Sequence, residues 1–314
     1  RSDALLMGLF FGPLAVGLYR LAARFTEIVL DFFTRSIQQV ALSDLSRPQS
    51  DLPVFRARTK TVLRTTSVIT IPMLGILAGV SDPLLSLFGI EWVAARWALV
   101  LLCVVTALRS FMLVAGAVLN AIGRPFINAA FAWFTGISSV VGVVVAGVAL
   151  QDTTIEQQVT GIALARLIVQ AVLLVPVLAV IVRQVTGIPV MSLMATSSNS
   201  WLAGLAAAAS GIGMSAATTS LVDIAPIVRL VITGSTATAA AIVVLLLTEP
   251  ETLRAAAGPL TRFERLLPRA LRPGGRRRPD TTRPGDGRAD LATTEAATRD
   301  HPVNGGRTDG GGME

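Results

Sequence analysis

The sequence predicts an all-α, polytopic transmembrane helix bundle of about seven spanning helices plus the end of another, followed by a disordered cytoplasmic tail. Three observations predict it. Of 314 residues, 52% are hydrophobic and only 15% are charged, where an ordinary soluble domain carries about 25% charge. The charge is also unevenly placed, because 12 of the 27 basic and 10 of the 20 acidic residues follow Thr248. The long front section falls into blocks that can each cross a bilayer core, which takes roughly 20 mainly apolar residues. A water-soluble protein of this make-up would lack the polar surface to cover itself.

The qualifying blocks run over 14–41, 62–81, 93–119, 126–150, 160–182, 201–222 and 226–248. A shorter apolar piece, Ala4 to Phe11, reads as the end of one more helix. The chain opens at Arg1 rather than Met, so an upstream portion is expected. The first block is not a signal peptide, since it lacks a basic stretch, a clean apolar run and a cleavage site. From about Leu266 the composition turns to Pro, Gly, Arg, Asp and Thr. Such sequence cannot bury enough apolar surface to offset the entropy of ordering. Its Arg276-Arg277-Arg278 run is placed either against anionic headgroups or in a solvated tail with no task.

Loop charges set an orientation. Arg47, Arg56, Arg58, Lys60 and Arg64, then Arg124, then Arg183, then the tail alternate with loops holding Asp82 and Glu91, Asp152 and Glu156, and Asp223. Basic loops stay in the cytoplasm. The tail is therefore expected to be cytoplasmic, and the protein to be multi-pass in the cell (cytoplasmic) membrane. Trp92 and Trp97 fall near a predicted outer interface, where indoles are favoured.

Composition also excludes function classes. Cys103 is the only cysteine and His301 the only histidine. No disulfide, no His/Cys metal centre and no His-based nucleophilic triad can be assembled from them. Nothing matches a phosphate-binding G-x-x-x-x-G-K-[ST] loop. The pI of 11.1 does not indicate nucleic acid, because the cations sit between apolar blocks and in the tail rather than on one readable face. The reading is a non-enzyme with no cofactor and no nucleic-acid partner.

The segment Gly17 to Gln38 carries the strongest functional signal. It is long and apolar, yet it holds Arg20, Arg24, Glu27, Asp31 and Arg35. At about 100° per residue these fall on one narrow arc, joined by Thr34 and Gln38. Leu21, Phe25, Ile28, Val29 and Phe32 are assigned to the other face. A charge at mid-bilayer costs about 2.5–3.5 kcal/mol even on the lenient insertion scale, so the stripe must meet protein or water. One reading is a self-neutralising ladder, with pairs at i,i+3 and i,i+4, on an interface or surface helix. The other is the lining of a hydrated cavity. There the guanidinium groups match phosphate oxygens bidentately, while Glu27 and Asp31 balance charge or couple an ion.

Arg109 is the second candidate for substrate binding. It lies deep in its block, with Thr106, Ser110, Gly116 and Asn120 assigned to its side of the helix. Such an Arg needs water or a partner such as Asp31. Arg166 and Arg229 lie nearer block ends and are read as snorkelling to the interface. Pro72 and Pro176 fall inside blocks and are expected to kink them. The small-residue run Ala203–Gly213 suits close helix approach.

These residues form an ordered series. Asp3, Gly8 and Gly12 precede Val16-Gly17-Leu18-Tyr19, Ala22 and Arg24; Leu45-Ser46-Arg47 and Asp51 follow, then Pro72, then Leu87-Phe88-Gly89 with Trp92, then Ala121-Ile122-Gly123-Arg124-Pro125. The series resembles the second half of the polysaccharide-export (O-antigen flippase) branch of the multidrug/oligosaccharidyl-lipid/polysaccharide exporter superfamily. Ser43 stands where that family usually has proline, and Gln158 where a glycine is common. The resemblance implies that 1–183 is a second transmembrane bundle, that 184–248 supplies two additional C-terminal helices, and that 249–314 is a tail. It also implies alternating access, moving a polyprenyl-pyrophosphate-linked oligosaccharide across the membrane for lipopolysaccharide or other polysaccharide synthesis. Arg20, Arg24, Arg35 and Arg109 would contact this substrate. Membrane lipids and glycan-synthesis machinery are the other partners implied. Two alternatives stand beside this: a multidrug or metabolite exporter of the same superfamily, and a non-transporting membrane scaffold for glycan synthesis.

Overall fold

The structure, a computed structural model, describes residues 2–46, 52–187, 190–221 and 225–248. Among these residues there is no strand. Helix α1 (Ser2–Ser46) is followed by α2 (Leu52–Gly79), the short α3 (Ser81–Ser86) and a 3-10 turn (Ile90–Ala95). Next come α4 (Arg96–Ala121), α5 (Pro125–Ala149), α6 (Ile155–Ile168), a π-helical turn (Val169–Leu174) and α7 (Val175–Thr186). Helices α8 (Val190–Leu221) and α9 (Pro226–Thr248) complete the bundle. All of them belong to one compact unit. The predicted tail, 249–314, lies outside the described residues.

Six helical stretches are long and apolar enough to span a bilayer: 53–79, 90–121, 125–149, 155–184, 195–219 and 226–248. They correspond to six of the seven blocks read from the sequence. The seventh, 14–41, is the charged part of α1, whose ionic residues keep it out of that set. The apolar piece Ala4–Phe11 is not set off by a loop. It runs into α1 across a kink at Gly12, whose φ of 81° and ψ of 176° break the helix before Pro13. Glycine reaches that left-handed φ without a Cβ clash.

Two helices, α8 and α6, begin earlier than hydropathy suggests. Helix α8 starts at Val190, eleven residues before the predicted block, because Thr196 and Ser198 donate back to the carbonyls of Ser192 and Ala195. This internal satisfaction lets a polar Ser/Thr stretch stay helical. Helix α6 begins at Ile155, where Thr154 and Gln157 form a reciprocal capping box. Pro176 follows directly on the π turn Val169–Leu174, and the helical stretch 155–184 runs through both; a π turn is a local widening of an α-helix. Inside that π turn buried Gln170 donates to Met112 Sδ at 2.8 Å.

The core sits between α1, α2, α4 and α6, around Leu18, Ala22, Leu74, Leu99, Cys103 and Ile162. Cys103 is a buried free thiol, as its apolar surroundings predicted. The small residues of α8 do permit close approach. A Cβ on Gly79 would stand 2.9 Å from the Ala207 carbonyl oxygen, and one on Gly211 would stand 2.6 Å from Gly79 Cα. Helix α5 by contrast presents Phe126, Trp133, Ile137, Val145 and Val148 outward. Large exposed apolar side chains in such a row are what a helix facing lipid shows.

Candidate functional site

Helix α1 carries the charged stripe because its two sides differ in size and polarity. Ala15, Leu18, Tyr19, Ala22, Thr26 and Leu30 are buried against the bundle. Arg20, Arg24, Glu27 and Asp31 are exposed on the opposite side. Arg24 and Glu27 form an i,i+3 ion pair at 3.9 Å, their side chains 68% and 51% exposed. An exposed pair at that distance contributes little to stability. The side chain of Arg35, with those of Thr34 and Gln38, lies outside the described residues.

The apolar flank of α1 differs from its predicted place. Ile28 and Phe32 are exposed, Phe32 to 75%. They border the stripe instead of backing it. The reason is that small Ala15 and Ala22, with Leu18 and Tyr19, give the closer packing surface. Phe25 meets Phe88 edge-on, ring centroids 5.9 Å apart. Phe88 precedes Gly89, whose φ of 124° turns the chain into the 3-10 segment and sets it against Trp92.

Arg109 is exposed on α4. Its predicted companions divide: Thr106, Ser110 and Gly116 are buried, and Asn120 is exposed. Ser110 spends its hydroxyl on the Ala107 carbonyl, and Gly116 packs under Asn128 of α5. Those residues are packing positions, not one polar face. Among the described residues no ion pair joins Arg109 to Asp31.

Arg166 and Arg229 do not snorkel. Arg166 Nη1 donates to the Tyr19 hydroxyl at 2.9 Å, linking α6 to α1. Arg229 donates Nη2 to Asp82 Oδ2 at 3.0 Å, with only 15% of its side chain exposed. Asp82 also accepts from Ser215 Oγ at 3.3 Å and faces Arg96 at 3.7 Å. Both arginines read as end-of-helix cations are thus tied to other helices, because a neighbouring acceptor satisfies a guanidinium better than a long reach to water.

At the opposite end the Arg56 guanidinium packs over Gly187, the left-handed C-cap of α7. A cation there complements the helix dipole. The ends carrying Arg56 and Arg183 therefore lie together, as the alternation of loop charges required. The motif Ala121-Ile122-Gly123-Arg124-Pro125 is a helix stop and start, with Gly123 at φ 77° and Pro125 opening α5. Gln158, the departure from glycine, donates to the carbonyls of Thr153 and Gln151 at 3.0 and 3.4 Å. Its amide holds the α5–α6 loop.

An apolar cavity of about 540 Å³ lies between α2, α4, α7 and α8, walled by Leu63, Met112, Leu178 and the parallel rings of Phe111 and Trp201, 6.4 Å apart. None of the predicted site residues lines it.

Fold and exposed faces define a multi-pass, all-α membrane protein with a charged stripe on its first described helix. Its similarities point to polysaccharide biosynthesis. Residues 1–97 match the model of a family described as "Polysaccharide biosynthesis protein". The chain is also 31% identical over 136 residues to the teichuronic acid biosynthesis protein TuaB of Bacillus subtilis (strain 168), a stretch covering 43% of this chain and 28% of that protein. No solved structure matches. The two sequence matches support the polysaccharide-export resemblance, and the family match, residues 1–97, covers the part of the chain that carries the stripe.

Proposed function

We propose that this chain forms one bundle of a flippase-type transporter that moves lipid-linked oligosaccharide precursors across the cytoplasmic membrane by alternating access. The observation that carries the proposal is the exposure of Arg20, Arg24, Glu27 and Asp31 along one side of a helix whose other side is core. Within a bilayer such a side must border water, substrate or a second protein bundle, since several charges against lipid would each cost a few kcal/mol. Guanidinium groups lining a hydrated path compensate a pyrophosphate as it leaves the headgroup region. Arg20, Arg24, Arg35 and Arg109 are the substrate contacts proposed; Glu27 and Asp31 balance charge or couple an ion.

The chain is proposed to lie with its Arg56 and Arg183 ends, and its C-terminal tail, in the cytoplasm. Its action is transport and not catalysis. The similarity to TuaB, a teichuronic acid biosynthesis protein, favours a polysaccharide of the teichuronic acid kind over lipopolysaccharide as the eventual product. The test is complementation of glycan export in cells lacking the endogenous gene. Arg24→Ala and Arg109→Ala should each abolish export while the protein remains in the membrane. Full export by both variants would overturn the assignment.

A further inference from the structure

A second cluster of charge lies apart from the α1 stripe, where α3 meets α4, α8 and α9. Among the described residues Asp82 is its only carboxylate, and two guanidinium groups converge on it. Arg229 holds the short contact at 3.0 Å, and Arg96 stands off at 3.7 Å. Glu91 is exposed on the 3-10 turn, Asp223, close to Arg229 in sequence, lies outside the described residues, and Glu156 shares a separate pocket with Trp97. Two further features belong to the same place. Arg229 Nε is buried without a hydrogen-bond partner. A cavity of about 280 Å³ opens beside the cluster, lined by Ser81, Asp82, Arg96, Trp97, Ser215 and Thr219 among others.

The charges do not balance. Arg229 alone suffices to neutralise Asp82, so Arg96 brings a surplus positive charge to a partly desolvated cavity. Its guanidinium lies over the Trp97 ring at 5.2 Å from the centroid and is 43% exposed. A guanidinium held over an indole face keeps N–H groups available to an acceptor. A surplus cation beside a cavity favours an anion there. The space admits a tetrahedral oxyanion, and a planar fork of N–H donors matches phosphate oxygens.

We propose that this cavity is a phosphate-class oxyanion site, with Arg96 as its principal ligand and Trp97 as its wall. It is separate from the α1 stripe and does not depend on the transport reading. The ligand chemistry, a phosphate oxyanion, is shared by free inorganic phosphate and by the headgroup of a membrane phospholipid.

The probe is tryptophan fluorescence of the full chain in dodecyl maltoside at constant ionic strength, with Trp97→Phe identifying the part that Trp97 contributes. Inorganic phosphate and short-chain phosphatidylglycerol are titrated separately. The proposal expects a saturable change that vanishes in Trp97→Phe. It also expects the half-saturating concentration to rise about tenfold in Arg96→Gln, the loss of one charge-assisted contact. Arg96→Lys should fall between the two, since it keeps the charge without the fork. Saturation by phosphate alone identifies a free anion, and saturation by the lipid at lower concentration identifies a headgroup. No saturable signal with either probe overturns the site, as does Arg96→Gln binding like the parent. Where Arg96→Gln does not survive purification, parent-like binding by Arg96→Lys to both probes overturns the role given to the fork.

Discussion

The Arg166 guanidinium donates to the hydroxyl of Tyr19, the only tyrosine, at 2.9 Å. Tyr19 is buried and directly precedes exposed Arg20. The bond therefore fixes the rotation of α1 at the place where its charged stripe begins. Tyr19→Phe keeps the ring and removes the acceptor. It should lower stability in detergent by about 1–2 kcal/mol, read as a shift in thermal denaturation, and should reduce export without abolishing it.

The contact between α2 and α8 gives a sharper prediction. A Cβ on Gly75 would meet Gly204 backbone, with Gly204 Cα at 2.7 Å. Backbone cannot yield as a side-chain tip does. Gly75→Val should cost about 3 kcal/mol or more by overpacking and should reduce the amount of folded protein recovered. Gly213, beside open space, is the control: Gly213→Ala should leave stability unchanged or slightly raised.

Asp82 supplies the third. Asp82→Asn leaves Arg229 largely buried beside a weaker acceptor and frees Arg96. Breaking one side of such a pair costs several kcal/mol when fully buried; with the side chains 15% and 21% exposed, about 2 kcal/mol is expected. Because Arg229 is on α9, the loss should appear first as easier proteolysis between α8 and α9.

Much of this was readable before any coordinates. Six spans follow from hydropathy alone, since lipid imposes length and apolarity on each crossing segment. The charged arc of α1 was also legible, because a 3.6-residue period fixes which residues share a side. Which neighbours of that arc were buried was not legible. Ile28 and Phe32 are as apolar as Leu18 and Leu30, and only the packing of Ala15 and Ala22 against the core decides between them. The start of α8 escaped because its Ser and Thr hydroxyls are satisfied within the helix, a saving that hydropathy does not count. The partners of Arg166 and Arg229 lie 147 residues away in sequence. No local pattern announces contacts of that range, although an Asp such as Asp82 just past a long apolar block is the sort of residue that seeks one.

Cysteine accessibility decides whether the α1 stripe borders water. In a Cys103→Ala background, Arg24→Cys and Arg20→Cys are treated in intact membranes with a charged, membrane-impermeant maleimide from each side. Val145→Cys, on the outward apolar side of α5, serves as the lipid-facing reference. Rapid labelling at positions 20 and 24, from at least one side, is the expected result. Labelling as slow as at position 145 from both sides would place the stripe in lipid and rule out a hydrated path along α1.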